Sequence, residues 1–218
     1  SLADMTCFSF HPVKTVTGGE GGAITTNDEK LYRHLMRLRT HGITRDPEEM
    51  VHPTDALWYN EQVELGFNYR MTDFQAALLL SQLKKLPMFR ARRKEIKKRY
   101  DEAFGKMPEL ILQKEIPESD TTWHLYVLHL NLENLNCDRR QFFDALYAEH
   151  TCPQVHYLPV YWHSYYEKLG YKKGLCPNAE KYYNEVMSIP LYYGLTDDDV
   201  EDVIHAVKKV VAYYTKLK

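Results

Sequence analysis

A chain of 218 residues has room for one sizeable domain, or for one domain and part of another. Hydrophobic residues make up 44% and charged residues 27%, an ordinary globular balance, and no apolar run approaches the roughly 18 residues of a membrane span. The net charge of −2 excludes a global pull toward nucleic acid or anionic membrane, and four cysteines without CxxC spacing point to free thiols in a reducing cytoplasm.

The first residues, Ser1 to Met5, carry no leader and no helix cap, the look of a chain cut inside a domain. Thr6–Phe10 reads as a short strand and Gly22–Thr26 as a second. Between them His11–Gly21 is glycine-rich and poor in helix formers, so it is a loop held between two strands. Asn27 and Asp28 cap a helix over Glu29–Arg39, with Leu31, Leu35 and Leu38 on one face. His41-Gly42 ends it, and residues 43–65 form a long connection that Trp58, Tyr59 and Leu65 leave partly ordered. Thr72 and Gln75 make a capping box for the next helix, which Pro87 should kink or restart before a second stretch, Met88–Phe104.

Beyond Gly105 the pattern becomes α+β. Trp123–Leu130 is expected as a strand, Asp138–His150 as a helix and Cys152–Tyr157 as a strand. Short helices follow near 162–169 and 177–186, then a strand at Ser188–Leu191. Thr196 caps a last helix, with Asp197, Asp198 and Asp199 at its positive end and Val200, Val203, Ile204, Val207 and Val211 on its apolar face. The boundary between two units falls along the long helical stretch, giving residues 1–90 and 91–218. The seventeen tyrosines gather toward the C-terminus, as a polar-lined cleft or interface would require.

The chemically informative segment is Cys7-Phe-Ser-Phe-His-Pro-Val-Lys14 followed by Thr17-Gly-Gly-Glu-Gly-Gly22. A loop lysine is ordinarily a solvated surface charge. This one follows an apolar strand and precedes glycines, which allow close backbone approach and can turn consecutive N–H groups toward an anion. A lysine in such surroundings suits attack on a carbonyl, and the Ser9 hydroxyl suits a phosphate. The segment is not a P-loop, because the lysine precedes the glycines and no GK[ST] is present.

Ser9-Phe-His11-Pro-x-Lys14 with Glu20-Gly-Gly22 resembles the lysine motif of the DegT/StrS family of sugar aminotransferases, fold-type I enzymes that use pyridoxal 5′-phosphate (PLP). The resemblance continues through Arg39–Gly42, Trp58-Tyr59, Glu64–Ala77, Trp123–Tyr126, Val155–Pro159 and Ser188–Leu191, nearly the whole chain. It implies an α/β chain: the C-terminal portion of a fold-type I PLP transferase, with a remnant of the large-domain sheet carrying the Schiff-base lysine (1–90) and a small α+β C-terminal domain (91–218). The stretches His41–Thr44, Trp58–Asp73 and Gln154–Tyr161 are most similar to family members of the pseudaminic acid pathway. These move an amino group from glutamate to C4 of a UDP-linked 4-keto-6-deoxy-N-acetylhexosamine.

Carried over by position, the resemblance implies that Lys14 binds PLP and moves the reaction's proton, and that Ser9 bonds the PLP phosphate. It places His11 near the cofactor without a defined role. Asn68 and Arg70 would reach the phosphate or substrate of a neighbouring subunit in a homodimer, and His156 and Tyr157 would lie near the sugar nucleotide. Gly18 stands where the family has a second threonine, which should remove a hydroxyl and loosen the turn. In the family, the aspartate for the pyridine nitrogen and the ring-stacking aromatic precede the lysine motif. The resemblance therefore implies a C-terminal fragment that does not catalyse amino transfer alone, and whose exposed strand edges favour dimerisation or strand exchange.

Two other patterns compete with plainer explanations. His150-x-Cys152-x3-His156-x6-His163 has ligand types, but Pro153 and the family match argue against a metal. Arg90–Arg99 holds a run of basic residues that would serve a non-catalytic binding module, or simply form a solvated helix face. No nucleic acid or membrane partner is expected.

Overall fold

A computed structural model describes residues 2–216, and these divide between Leu86 and Pro87 into two compact units. The first begins with strand β1 (Met5–Ser9), paired antiparallel to β2 (Gly22–Thr26) in the register Met5↔Thr26 to Ser9↔Gly22. This ribbon is open to solvent on both faces. Helix α1 (Glu29–Leu38) follows, and the Asp28 carboxylate caps it by accepting the N–H groups of Lys30 and Leu31 at 2.8 and 3.0 Å. Residues 43–65 are less irregular than expected, since β3 (Ile43–Thr44) and β4 (Glu61–Gln62) pair antiparallel within them.

Helix α2 (Asp73–Phe104) is continuous through Pro87, contrary to the expected kink or restart. Proline removes only the bond that its N–H would give to the carbonyl of Leu83, and its fixed φ is helical. Full turns on both sides carry the element across that gap. At its start, Thr72 Oγ1 accepts the Gln75 N–H at 3.3 Å and Gln75 Oε1 accepts the Thr72 N–H at 3.0 Å, the expected capping box.

The second unit is α+β. Strands β5 (Leu110–Ile111), β6 (Tyr126–Leu130) and β7 (Val186–Ile189) form an antiparallel sheet in that order. Helices α3 (Arg139–Ala148), α4 (Ser164–Lys168), α5 (Pro177–Glu185) and α6 (Asp197–Tyr214) complete it. Tyr126, Leu128 and Leu130 alternate into a core with Ile96, Tyr100, Phe104, Phe142, Leu146, Val200, Val207 and Val211. Each fully buried Phe or Leu contributes roughly 1.5–3 kcal/mol relative to exposure. Arg93 is buried in the same unit. Its Nη1 donates to the carbonyls of Trp123, His124 and Leu191 at 3.1, 3.1 and 2.8 Å, and burial lowers its pKa.

Two expected strands change. Trp123 adopts φ 53°, so the ladder begins only at Tyr126. Cys152–Tyr157 is not a strand: His150 and Cys152 have φ 61° and 48°, and Pro153 has no N–H to give a ladder. One bridge, Gln154↔Ser188, remains of it. No helix is long and apolar enough to cross a membrane among the described residues.

Candidate functional site

The lysine loop is held from its base. Phe10 N–H donates to the Gly21 carbonyl at 2.8 Å, which extends the β1–β2 pairing by one step past Ser9↔Gly22. The Phe10 carbonyl accepts both the Thr17 hydroxyl and the Gly18 N–H at 3.0 Å. Gly19 N–H donates to Thr17 Oγ1 at 2.9 Å, and Lys14 N–H to the His11 carbonyl at 3.0 Å. Phe10 and Val16 bury their side chains as anchors. The strand ending at Ser9 thus leads directly into a cross-braced loop that presents Lys14.

Two sequence expectations change here. Gly18 and Gly19 spend their N–H groups inside the loop, so these two amides do not face outward as anion donors. Nor does Gly18 loosen the turn. It is buried, and a Cβ there would come within 3.3 Å of the Glu20 carbonyl oxygen and 3.4 Å of that of Gln75, the first turn of α2. Gly18 is small because backbone passes on both sides.

His11 has structural partners. Its Nδ1 accepts the Val13 N–H at 3.4 Å, and its Nε2 lies 3.7 Å from a Glu20 carboxylate oxygen. The side chains of Ser9, Lys14, Asn68 and Arg70 make no hydrogen bond or ion pair among the described residues, although Lys14 is half-buried. A half-buried amine and a hydroxyl five residues earlier, both without protein partners among the described residues, are the donor types that the aldehyde and phosphate of PLP would need. The donor set of this loop fits that cofactor.

Asn68 and Arg70 are set by an interlock with α1. His41 N–H donates to the Phe67 carbonyl at 2.8 Å, Phe67 N–H to Leu38 at 2.7 Å, and Tyr69 N–H to Arg39 at 2.9 Å, with Asn68 bridged to Thr40. Gly42 and Gly66 cross so closely that a Cβ on Gly42 would lie 1.9 Å from the Glu64 carbonyl oxygen. Glu64 locks the crossing: its carboxylate accepts from Arg37 Nε at 2.7 Å and lies 2.7 Å from His34 Nε2. The Arg37 guanidinium, with His34 second, holds the Glu64 carboxyl below the usual carboxylate range. The segment then returns to the lysine loop, since a Cβ on Gly21 would meet the Met71 methyl at 2.7 Å. In the sequence Glu64 and Gly66 stand out only as parts of the Glu64–Ala77 motif. Two glycines flanking opposite ends of a long connection were the available sign of a backbone crossing.

In the second unit, His156 is half-buried and Tyr157 exposed, with their rings edge-on at 4.7 Å. His156 Nδ1 lies 3.0 Å from the hydroxyl of buried Ser188. Nearby, Glu180 Oε1 gathers the Tyr161 hydroxyl and the Gly174 N–H at 2.6 Å each, and Trp162 Nε1 at 3.3 Å, which folds the 170–176 turn onto α5.

The basic run is largely neutralised within its own unit. Arg90 and Lys94 pair with Asp120, Arg92 and Arg99 with Asp197, Lys97 with Asp101 and Glu115, and Lys98 with Glu102. Arg93 points inward, as described above. No cluster of three or more potential metal ligands occurs among the described residues.

Residues 1–208 match the model of the DegT/DnrJ/EryC1/StrS aminotransferase family. The chain belongs to this family. It is 40% identical over 213 residues to the spore coat polysaccharide biosynthesis protein SpsC of Bacillus subtilis, covering 97% of this chain and 54% of that protein. A UDP-4-amino-4,6-dideoxy-N-acetyl-beta-L-altrosamine transaminase of Campylobacter jejuni is 36% identical over 212 residues, covering 96% and 54%. Among solved structures, Helicobacter pylori PseC, an aminotransferase involved in the biosynthesis of pseudoaminic acid, superposes with a TM-score of 0.86 at 29% identity, covering 97% of this chain and 54% of that one. The chain thus spans about half the length of the relatives it matches. Its mixed α/β fold is that of the corresponding portion of fold-type I PLP aminotransferases.

Proposed function

We propose that this chain supplies the lysine loop and the sugar-nucleotide side of a PLP-dependent aminotransferase. The reaction moves an amino group from glutamate to C4 of a UDP-linked 4-keto-6-deoxy-N-acetylhexosamine. The observation that carries this is the braced loop of a family member, on which Lys14 and Ser9 keep uncommitted polar side chains. Bound PLP would supply the electron sink that lets a proton leave carbon. Lys14 Nζ would hold the cofactor and would be the group that takes up and returns that proton, and the Ser9 hydroxyl would donate to the phosphate. Asn68 and Arg70 serve the phosphate or substrate of the neighbouring subunit of a homodimer, and His156 and Tyr157 contact the sugar nucleotide. The free thiols and reducing-compartment composition favour a cytoplasmic location. A non-catalytic module built on the basic helix is less well supported, because its cations are already paired.

The test uses a polypeptide of the relatives' length that includes these residues. With PLP it should turn yellow, and borohydride followed by peptide mapping should place a pyridoxyl adduct on Lys14. Lys14→Ala should lose both the adduct and more than about a thousandfold of the amino-transfer rate. An adduct elsewhere, or undiminished turnover by the variant, would overturn the assignment.

A further inference from the structure

His156 hangs from a fixed point. Ser188 sits in β7, where its backbone exchanges two hydrogen bonds with Gln154: Gln154 N–H to the Ser188 carbonyl at 2.9 Å, and Ser188 N–H to the Gln154 carbonyl at 2.7 Å. On its other side Ser188 is in register with Val127 of β6. The residue is 6% exposed, and its backbone is held on both sides. Its hydroxyl meets Nδ1 of His156, two residues beyond Gln154, at 3.0 Å.

A buried hydroxyl needs some partner, and a nearby imidazole would satisfy it with no functional meaning. The arrangement here does more than satisfy a hydroxyl. The segment bearing His156 is not a strand: Cys152 has φ 48° and Pro153 gives no N–H, so one bridge ties its backbone to the sheet. The bond to Ser188 is therefore a tether between the half-buried ring and the rigid sheet. The bond to Nδ1 also ties the ring to one neutral tautomer, with the proton on Nε2 if the hydroxyl donates and on Nδ1 if it accepts.

We propose that Ser188 is a positioning residue for His156: it fixes the imidazole's orientation and proton placement for contact with the nucleotide sugar. This rests on the proposal that His156 lies on the sugar-nucleotide side. Tyr157 lies edge-on to the ring at 4.7 Å. Ser188 touches no substrate itself.

The test is made on this chain labelled with 15N-histidine, with His156 ring signals assigned from His156→Gln. Wild type should show one dominant neutral tautomer. Ser188→Ala should give a mixture, as should Ser188→Cys, which has nearly the same volume and a weak donor and stands in if the alanine variant does not fold. Ser188→Thr, which keeps the hydroxyl, should restore the wild-type pattern. UDP is then titrated as the probe. It should shift the His156 signals, and its affinity should fall about fivefold in Ser188→Ala or Ser188→Cys but not in Ser188→Thr, the scale of one neutral hydrogen bond. An unchanged tautomer, or an unchanged UDP affinity, in a folded variant would overturn the positioning role. Failure of UDP to reach His156 in wild type would instead remove the sugar-nucleotide assignment beneath it.

Discussion

At the scale of single residues, chemistry follows from what each side chain is already bonded to. Ser9 and Lys14 are uncommitted, whereas His11 is engaged with Val13 and Glu20. The motif therefore mixes side chains without a partner among the described residues with side chains that brace the loop, and adjacency in sequence does not separate them. The cysteines divide in the same way. Cys7, Cys152 and Cys176 are exposed, while burial, with Asp138 adding to it, pushes the Cys137 thiol up to about 11. Alkylation at pH 8 should therefore modify Cys137 at least about tenfold more slowly than the other three, as peptide mass mapping over time would show. Equal rates would contradict the buried environment. Lys14 was legible because its neighbours are unusual. The roles of Ser188 and Glu180 were not, because each acts through partners distant in sequence: Ser188 through His156, and Glu180 through Tyr161 and Trp162.

Elements whose signals are local appear where the sequence places them. The strand Gly22–Thr26, the Asp28 cap, the Thr72–Gln75 box and the Thr196–Asp199 box all rest on residues a few positions apart. Elements with competing signals shift. Pro87 was weighed as a breaker, yet a helix as long as α2 absorbs one missing bond. The connection 43–65, partly ordered by its apolar residues, is further zipped at its ends by β3 and β4 and by the Gly42–Gly66 crossing. That crossing makes a sharp prediction. Gly42 has φ 70° and its missing Cβ would overlap the Glu64 carbonyl, so Gly42→Ala should destabilise the first unit by at least about 3 kcal/mol. Hydrogen exchange should show Val63 and Phe67 amides, which bond Gly42 and Leu38, opening roughly a hundredfold more readily, with the α6 amides unchanged. Retained protection at Val63 and Phe67 would refute the crossing.

On the scale of the whole molecule, the two units differ in how they bury apolar surface. The buried cluster lies in the second, from Ile96 to Val211. In the first, Leu57 is 96% exposed, Phe74 91% and Trp58 82%, and both faces of the β1–β2 ribbon meet solvent. Such exposed apolar side chains are what the proposed homodimer would cover, and the chain spans about half the length of its relatives. We expect these 218 residues alone to give no PLP-dependent amino transfer from glutamate. A coupled assay for 2-oxoglutarate, run beside a family member of the relatives' length, checks this. Steady turnover by the chain alone would refute it.

The sequence by itself determined the family, the lysine motif, the caps and most of the elements, because each is written in residues that act on near neighbours. Only the tertiary structure decided which motif residues are committed to the fold. Glu64 turned out to be a lock, Gly18 a close contact and Ser188 a tether. Such roles depend on distances between residues far apart in the chain, and hydrophobic period and local spacing carry no record of those distances.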